Sequence, residues 1–528
     1  MSEIHAAQLD SQSLISAPAQ ESAANAMAVL AGLAVVKLLV QFAGIRHYGF
    51  FRDELYYMAC GEHLAWGYVD QPPLVAFAAW FARHAFGSSI VALRILPVLA
   101  GAAVVLLTGM LARELGGGRL AQWLAAATVL CAPAYLAFDS FFSMNAFEPL
   151  FWLLCAWIAV RIAKGAPARW WLAFGAVAGL GLENKHTMLV FGLALAAGFV
   201  LSGERRLFSS GWIWAGAAVA LVIFLPNLVW EMRHGWPQFT VVRNAQLYKN
   251  IPESPWRFLG DQVAFLHPAA LPVWLGGLAW LLFAREGKRF RFLGWAYLIV
   301  LATFMLLHGK SYYVVPAYTI LIAAGGVAFA RFCESREWRW LEAGFPCLLL
   351  IGGLIATPFA VPVLSVDEFL RYSQILPYSH MAKTERDAVD TDLTQLYADM
   401  FGWDNIASGV AGVYRDLPAA DRASCAILAG NYGEAGAIDY YGPALGLPKA
   451  ISGHNSYFYW GPRDYSGACV IVFGERSDEF IRYFGDVQIA ATITNAHAMP
   501  VEQSLPVYVC RKPIAPLSNL WPRFKMII

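Results

Sequence analysis

Eleven apolar stretches, most of them 14 to 22 residues long, dominate this chain of 528 residues and constrain its fold more than any other feature. They run over 26–44, 90–111, 120–137, 149–162, 170–182, 188–201, 212–230, 270–284, 292–307, 312–330 and 341–361. A helix crosses a bilayer with about 20 mostly apolar residues, so the sequence predicts a polytopic α-helical membrane protein of about eleven spans. Composition agrees. Charged residues make up 14% of the chain, against about 25% in a soluble domain. A formal net charge of +1 gives no reason to expect a nucleic-acid partner. The N-terminal 1–25 lack the basic start of a signal peptide and read as a cytoplasmic tail before a retained first helix.

The connections alternate in charge. Arg113 and Arg119, then Arg161, Lys164 and Arg169, then Arg205 and Arg206, then Arg285, Lys288, Arg289 and Arg291, then Arg331, Arg336 and Arg339 all fall on one side. By the positive-inside rule that side is cytoplasmic. The opposite, outer side then receives two long loops, 45–89 and 231–268, and everything after 363. The first loop, with GFFRDELYYMACGEHLAWGYV, mixes aromatic and charged residues as an interfacial helix does. The second, rich in aromatics and prolines, reads as a lid or cleft wall. From 363 to 528 the hydropathy pattern changes. Strands are expected over 425–429, 469–473, 487–494 and 506–510, with helices over 434–441 and 477–484, which makes a C-terminal soluble α/β domain. The eight cysteines show no CxxC spacing. Three fall in this last domain, where one disulfide is compatible with an outer location.

The same sorting collects the unusual polar residues at the outer face. Asp53 and Glu54 are the strongest pair: carboxylates at a membrane boundary suit general-base work, and the plain alternative is a charged turn paired with Arg52. Lys185 and Lys310 are cations at the same surface, suited to a phosphate, with snorkelling at a helix end as the alternative. Arg94, Tyr312 and Tyr313 are further candidates for phosphate contacts, against simple interfacial anchoring. Asp70 and His267 offer a carboxylate and an imidazole to a divalent cation. Glu148, His186 and His454 are candidates for orienting a partner or contacting an acceptor.

Several of these residues sit in segments that carry a resemblance. Phe51-Arg52-Asp53-Glu54-Leu55-Tyr56-Tyr57, followed by Tyr68-Val69-Asp70-Gln71-Pro72-Pro73-Leu74, resembles the first outer loop of family 39 glycosyltransferases. These include the protein O-mannosyltransferases and the bacterial aminoarabinose transferase of lipid A. Arg94-Ile95-Leu96-Pro97, Gly181-Leu182-Glu183-Asn184-Lys185-His186-Thr187 and His308-Gly309-Lys310-Ser311-Tyr312-Tyr313 are also similar to that family. So are Asn431-Tyr432-Gly433-Glu434 and Ser452-Gly453-His454-Asn455 in the tail. The resemblance implies a GT-C fold in a bacterial inner membrane and a polyprenyl-phosphate sugar donor. It implies inverting transfer to a lipid, protein or glycan acceptor at the outer face, with Asp53 and Glu54 as the catalytic pair. One departure is visible. Relatives of the aminoarabinose transferase carry Lys-Pro-Pro after the acidic residue, and here Gln71 stands in place of the Lys. A transporter or flippase of a lipid-linked sugar is the rival class. It predicts repeats and charges at the bilayer midplane, yet no repeat is found and Lys37 is the one charge well inside a span. A lipid-linked oligosaccharide ligase or a non-catalytic scaffold would keep the fold.

Overall fold

The computed structural model describes residues 24–375, 385–388 and 391–528. The expected tail over 1–25 lies almost wholly outside these residues, as do parts of 376–390. Every predicted apolar stretch is helical, because a backbone in lipid must satisfy its own hydrogen bonds. In order the helices are α1 (Ala24–Gly44), α2 (Arg52–Glu62), α3 (Leu74–Phe86), α4 (Ile90–Glu114), α5 (Arg119–Cys131), α6 (Pro133–Ser140), α7 (Met144–Ala163) and α8 (Trp170–Asn184). They continue with α9 (Thr187–Leu201), α10 (Gly211–Arg233), α11 (Pro237–Asn244), α12 (Pro255–Leu266), α13 (Leu271–Phe283), α14 (Arg291–Leu306), α15 (Tyr318–Arg336) and α16 (Arg339–Ala356).

Among the described residues, seven helices are long and apolar enough to cross a membrane, or nine if two bent pairs each count as one span. That is fewer than eleven because α8 and α9 have only 15 residues each. At about 1.5 Å per residue such helices fall short of a hydrocarbon core about 30 Å thick. The bent pairs have a local cause. Pro133 and Pro268 cannot donate to the preceding turn, and the chain turns by 59° between α5 and α6 and by 94° between α12 and α13. The breaks let α6 and α12 each present a face to the central cavity.

The basic connections meet one another. Glu114 binds Arg161 at 3.2 Å and Lys164 at 2.7 Å, and Glu286 lies 3.5 Å from Arg331. Lys37 is also paired: its ammonium lies 2.7 Å from Asp139 and donates to the Tyr135 carbonyl, with both side chains buried. The intraspan charge is thus neutralised within the bundle and ties α1 to the short helix α6.

At the other end of the bundle, α2 differs from the interfacial helix expected over the first loop. Eight of its 11 residues, from Glu54 to Gly61, are buried. They are covered by the C-terminal domain, and the loop forms a second helix, α3. That domain holds a five-stranded sheet of order β2-β1-β3-β5-β4, with β1 (Ala426–Ala429), β2 (Ile451–Ser452), β3 (Cys469–Phe473), β4 (Phe484–Thr494) and β5 (Ser504–Pro513). β2, β1 and β3 are parallel and β5 and β4 antiparallel. The expected strands are present, and β2 is an addition too short to leave a pattern. β1 and β3 are apolar on both faces, as buried parallel strands are. Cys425 and Cys469 beside them form a disulfide. One face of the sheet carries α17 (Trp403–Asp416) and α18 (Tyr432–Tyr441), and these pack with α2 and α3 into one apolar core. A Cβ on Gly436 would meet the Leu55 backbone at 2.9 Å, so α18 reaches α2 at a distance only glycine allows.

Candidate active site

Between the bundle and the C-terminal domain lies a cavity of about 350 Å³. Its apolar wall is α6 and the turn after it, with Ala134, Ala137, Phe138 and Phe141. Its polar floor gathers Arg52 and Asp53 from α2, Asp70 from the turn before α3, Lys249 from the π-turn after α11, and Lys310, Tyr312 and Tyr313 from the segment before α15. Glu385 and Tyr432 complete it from the C-terminal side.

Asp53 is the second residue of α2, where a carboxylate is favoured by the helix dipole. Its Oδ1 accepts a hydrogen bond of 2.9 Å from the Tyr432 hydroxyl, and the Arg52 Nε lies 3.9 Å away. With 29% of its side chain exposed, Asp53 faces the cavity from a fixed mount. Beside it, Glu385 binds three cations: Lys310 at 2.9 Å, Arg52 at 3.2 Å and Lys249 at 3.4 Å. Burial acts to raise the Glu385 carboxyl, but Lys249, Lys310 and Arg52 together hold it well below the usual carboxylate range. Burial acts to lower Lys310, and Glu385 more than offsets it, so Lys310 stays a cation. The second cavity carboxylate, Asp70, accepts from the Tyr56 hydroxyl at 2.8 Å and from Asn455 at 3.4 Å. Burial pushes Asp70 up to about 6, and the nearby Asp53 adds to this, while the Tyr56 hydroxyl pulls it back.

Several expected site residues are elsewhere. Glu54 is fully buried, and its two oxygens take a bidentate grip from Arg94 at 2.9 and 2.7 Å together with the backbone N–H groups of Phe51 and Phe142. Glu54 therefore caps α2 and Arg94 neutralises it. Neither reaches the cavity, which removes Glu54 from the catalytic pair and Arg94 from the phosphate contacts. Lys185 stands one layer behind the cavity wall. It binds Glu148 and Asn145, each at 2.8 Å, and its ammonium sits 4.4 Å over the Tyr313 ring. Glu148 also accepts from Thr187, so Lys185 and Glu148 brace Asn145 and Tyr313, which do line the cavity. His186 bonds Asn227, which in turn holds the Trp66 carbonyl, and lies outside the cavity.

The Asp70–His267 pairing is not assembled. Asp70 faces the cavity, whereas His267 sits at the α12–α13 bend, accepts the Ala269 N–H at Nδ1 and packs on Gly352 of α16. Among the described residues no group of three or more His, Cys, Asp or Glu could hold a metal ion. His454, a candidate for contacting an acceptor, is buried behind Tyr432, whose N–H it accepts at 3.3 Å. Gln71, at the position of the family's Lys, is fully buried and turned toward Cys60.

Lys249, Glu385, Tyr432 and Asn145 are site residues that the sequence reading did not single out. Tyr432 belongs to the segment Asn431-Tyr432-Gly433-Glu434, and Asn145 lies three residues before Glu148. Lys249 and Glu385 carry no local signal. Each is one charge in a polar loop.

The fold and site define a polytopic membrane protein with a charged cavity where the helix bundle meets an α/β domain. Comparison with known proteins places it further. Residues 70–230 match the family model described as dolichyl-phosphate-mannose-protein mannosyltransferase. The chain is similar to the lipid A galacturonosyltransferase RgtD of Rhizobium johnstonii, with 24% identity over 378 residues, 67% of this chain and 77% of that protein. Among solved structures it resembles ArnT from Cupriavidus metallidurans bound to undecaprenyl phosphate, with a TM-score of 0.61 at 13% identity, over 90% of this chain and 97% of that one. The archaeal oligosaccharyltransferase AglB from Archaeoglobus fulgidus, in complex with an inhibitory peptide and a dolichol-phosphate, gives a TM-score of 0.50 at 10% identity, over 89% of this chain and 74% of that one. The chain is a membrane protein with the GT-C fold of these solved structures.

Proposed function

We propose that the chain moves a sugar from a polyprenyl-phosphate carrier to an acceptor hydroxyl, with inversion, on the extracytoplasmic side of a bacterial inner membrane. The observation that carries this reading is the placement of Asp53. Its carboxylate faces a cavity that also gathers the cations Arg52, Lys249 and Lys310 and has an apolar wall on α6.

In this reaction Asp53 accepts the proton of the acceptor hydroxyl. The oxygen attacks the anomeric carbon as the bond from that carbon to the phosphate oxygen breaks. The bonding pair leaves with the polyprenyl phosphate, which gains one negative charge, and the proton stays on Asp53 until solvent removes it. Lys310 and Lys249 are placed to stabilise the departing phosphate. A donor phosphate competes with Glu385 for the same ammonium protons, so Glu385 holds the cations in place before the donor arrives. The phenylalanine and alanine face of α6 suits the first isoprene units.

Three facts support the reading. RgtD is named for a transfer to lipid A, and ArnT was solved with undecaprenyl phosphate. The basic connections lie together and apart from the cavity, as an outer site requires. The Cys425–Cys469 disulfide suits an oxidising compartment. A metal is not needed for the base or for the leaving group in this scheme.

The test is transfer in membranes from radiolabelled undecaprenyl-phosphate donors carrying a uronic acid, a 4-amino sugar or a hexose. The wild type should transfer at least one of them, and Asp53→Asn should lose that transfer by at least 100-fold. Equal transfer by both would remove the proposed base.

A further inference from the structure

The C-terminal domain reaches the catalytic carboxylate directly, and it does so through one residue. Tyr432 opens α18, which Asn431 caps by accepting the Glu434 N–H at 2.9 Å. Its ring is stacked on Tyr56 at 4.6 Å and flanked by His454 at 4.7 Å, and the Arg52 guanidinium lies over it at 5.7 Å. Its own N–H is fixed on His454. Glycine next door allows this approach. A Cβ on Gly433 would meet the Arg52 side chain at 2.5 Å. The ring therefore has little freedom, and its hydroxyl points at Asp53 Oδ1 from 2.9 Å.

A terminal carboxylate torsion is soft, so a lone Asp at a cavity edge would rotate widely. Engaging Oδ1 stops that rotation and leaves Oδ2 as the oxygen able to accept a proton. The same domain also holds the other cavity carboxylate. Asn455 contacts Asp70, and the Ser456 hydroxyl lies 2.7 Å from the Tyr56 hydroxyl that donates to Asp70.

We propose that Tyr432 is a positioning residue for Asp53, and that the C-terminal domain is thereby part of the catalytic centre. This rests on the reading of Asp53 as the base. The ring packing explains why Tyr432 is aromatic. Only the hydroxyl bond to Asp53 explains why it is not Phe.

The experiment is Tyr432→Phe in the full chain, assayed with whichever labelled donor the wild type transfers. The ring contacts remain, so the thermal midpoint in detergent should stay at the wild-type value. A hydrogen bond to a charged group is lost, so kcat should fall on the order of 10- to 100-fold, while KM for donor and acceptor stays within about twofold. In an Asp53→Asn background, Tyr432→Phe should cost no further rate, because the residue acts through Asp53. Unchanged kcat would overturn the proposal and leave the function intact. A lower midpoint with a raised KM would also overturn it, by showing a structural role. A wild type inactive with every donor is a different result. It would overturn the function itself, and this role with it.

Discussion

Arg94→Met tests whether the Glu54–Arg94 pair is structural, as its burial indicates, or part of donor binding, as its motif suggests. Both side chains are fully buried. Arg94 donates two hydrogen bonds to Glu54 and one each to the carbonyls of Ile45, at 3.2 Å, and Gly49, at 2.8 Å. Arg94→Met removes all four and leaves Glu54 as a buried anion held by only two N–H groups. Breaking one side of a buried pair costs about 3–5 kcal/mol. Arg94→Lys keeps the charge and loses the two-pronged geometry, so its cost should be about 1–3 kcal/mol. The double variant Glu54→Leu/Arg94→Met removes both charges. It should recover only part of the loss, because the Phe51 and Phe142 N–H groups lose their acceptor, at about 1–3 kcal/mol each. The assay is a double-mutant cycle on unfolding midpoints in mixed micelles, read beside donor KM. A single Arg94→Met variant as stable as the wild type would refute the reasoning. So would an Arg94→Lys variant whose only defect is a raised donor KM.

Two further predictions concern the C-terminal side. Glu385 has a folded value well below its unfolded one of about 4.3, so the unfolded chain binds more protons in that window. Its contribution to stability should be full above about pH 5 and be lost as pH falls through the folded value; a midpoint-versus-pH series should show that acid slope flattened in Glu385→Gln. Cys425 and Cys469 close a loop with a sequence separation of 44, so replacing both with Ser should destabilise the C-terminal domain by about 4 kcal/mol on the chain-entropy account, seen as greater proteolysis of the region after α16 in unfolding titrations.

The legibility of this protein follows the range of each interaction. Hydropathy over windows of about 20 residues marked every membrane helix, because lipid imposes the same demand on each segment independently. Apolar runs bounded by turns marked β1 and β3, and short β-branched runs between turn residues marked β4 and β5. Two of the eleven apolar stretches, α8 and α9, form helices of only 15 residues. Within the site, Lys310, Tyr312 and Tyr313 were found because they sit at the edge of an apolar run, and Asp53 and Asp70 because they fall in a loop that packs charges among aromatics between two membrane helices. Lys249 and Glu385 lie in loops where a charge is ordinary, and nothing local distinguishes them.

Sequence alone thus determined the membrane class and the gathering of polar residues toward one end of the bundle. Which carboxylate works and which merely supports was decided by tertiary structure. Asp53 and Glu54 are neighbours in the chain, yet helical geometry turns Glu54 inward to Arg94, 40 residues on, and Asp53 outward to a cavity. Arg52 meets Glu385 across 333 residues, and Asp53 meets Tyr432 across 379. Pairings at such separations are set by how the bundle and the sheet dock. That is a property of the packed core and of the few glycines that let its helices touch.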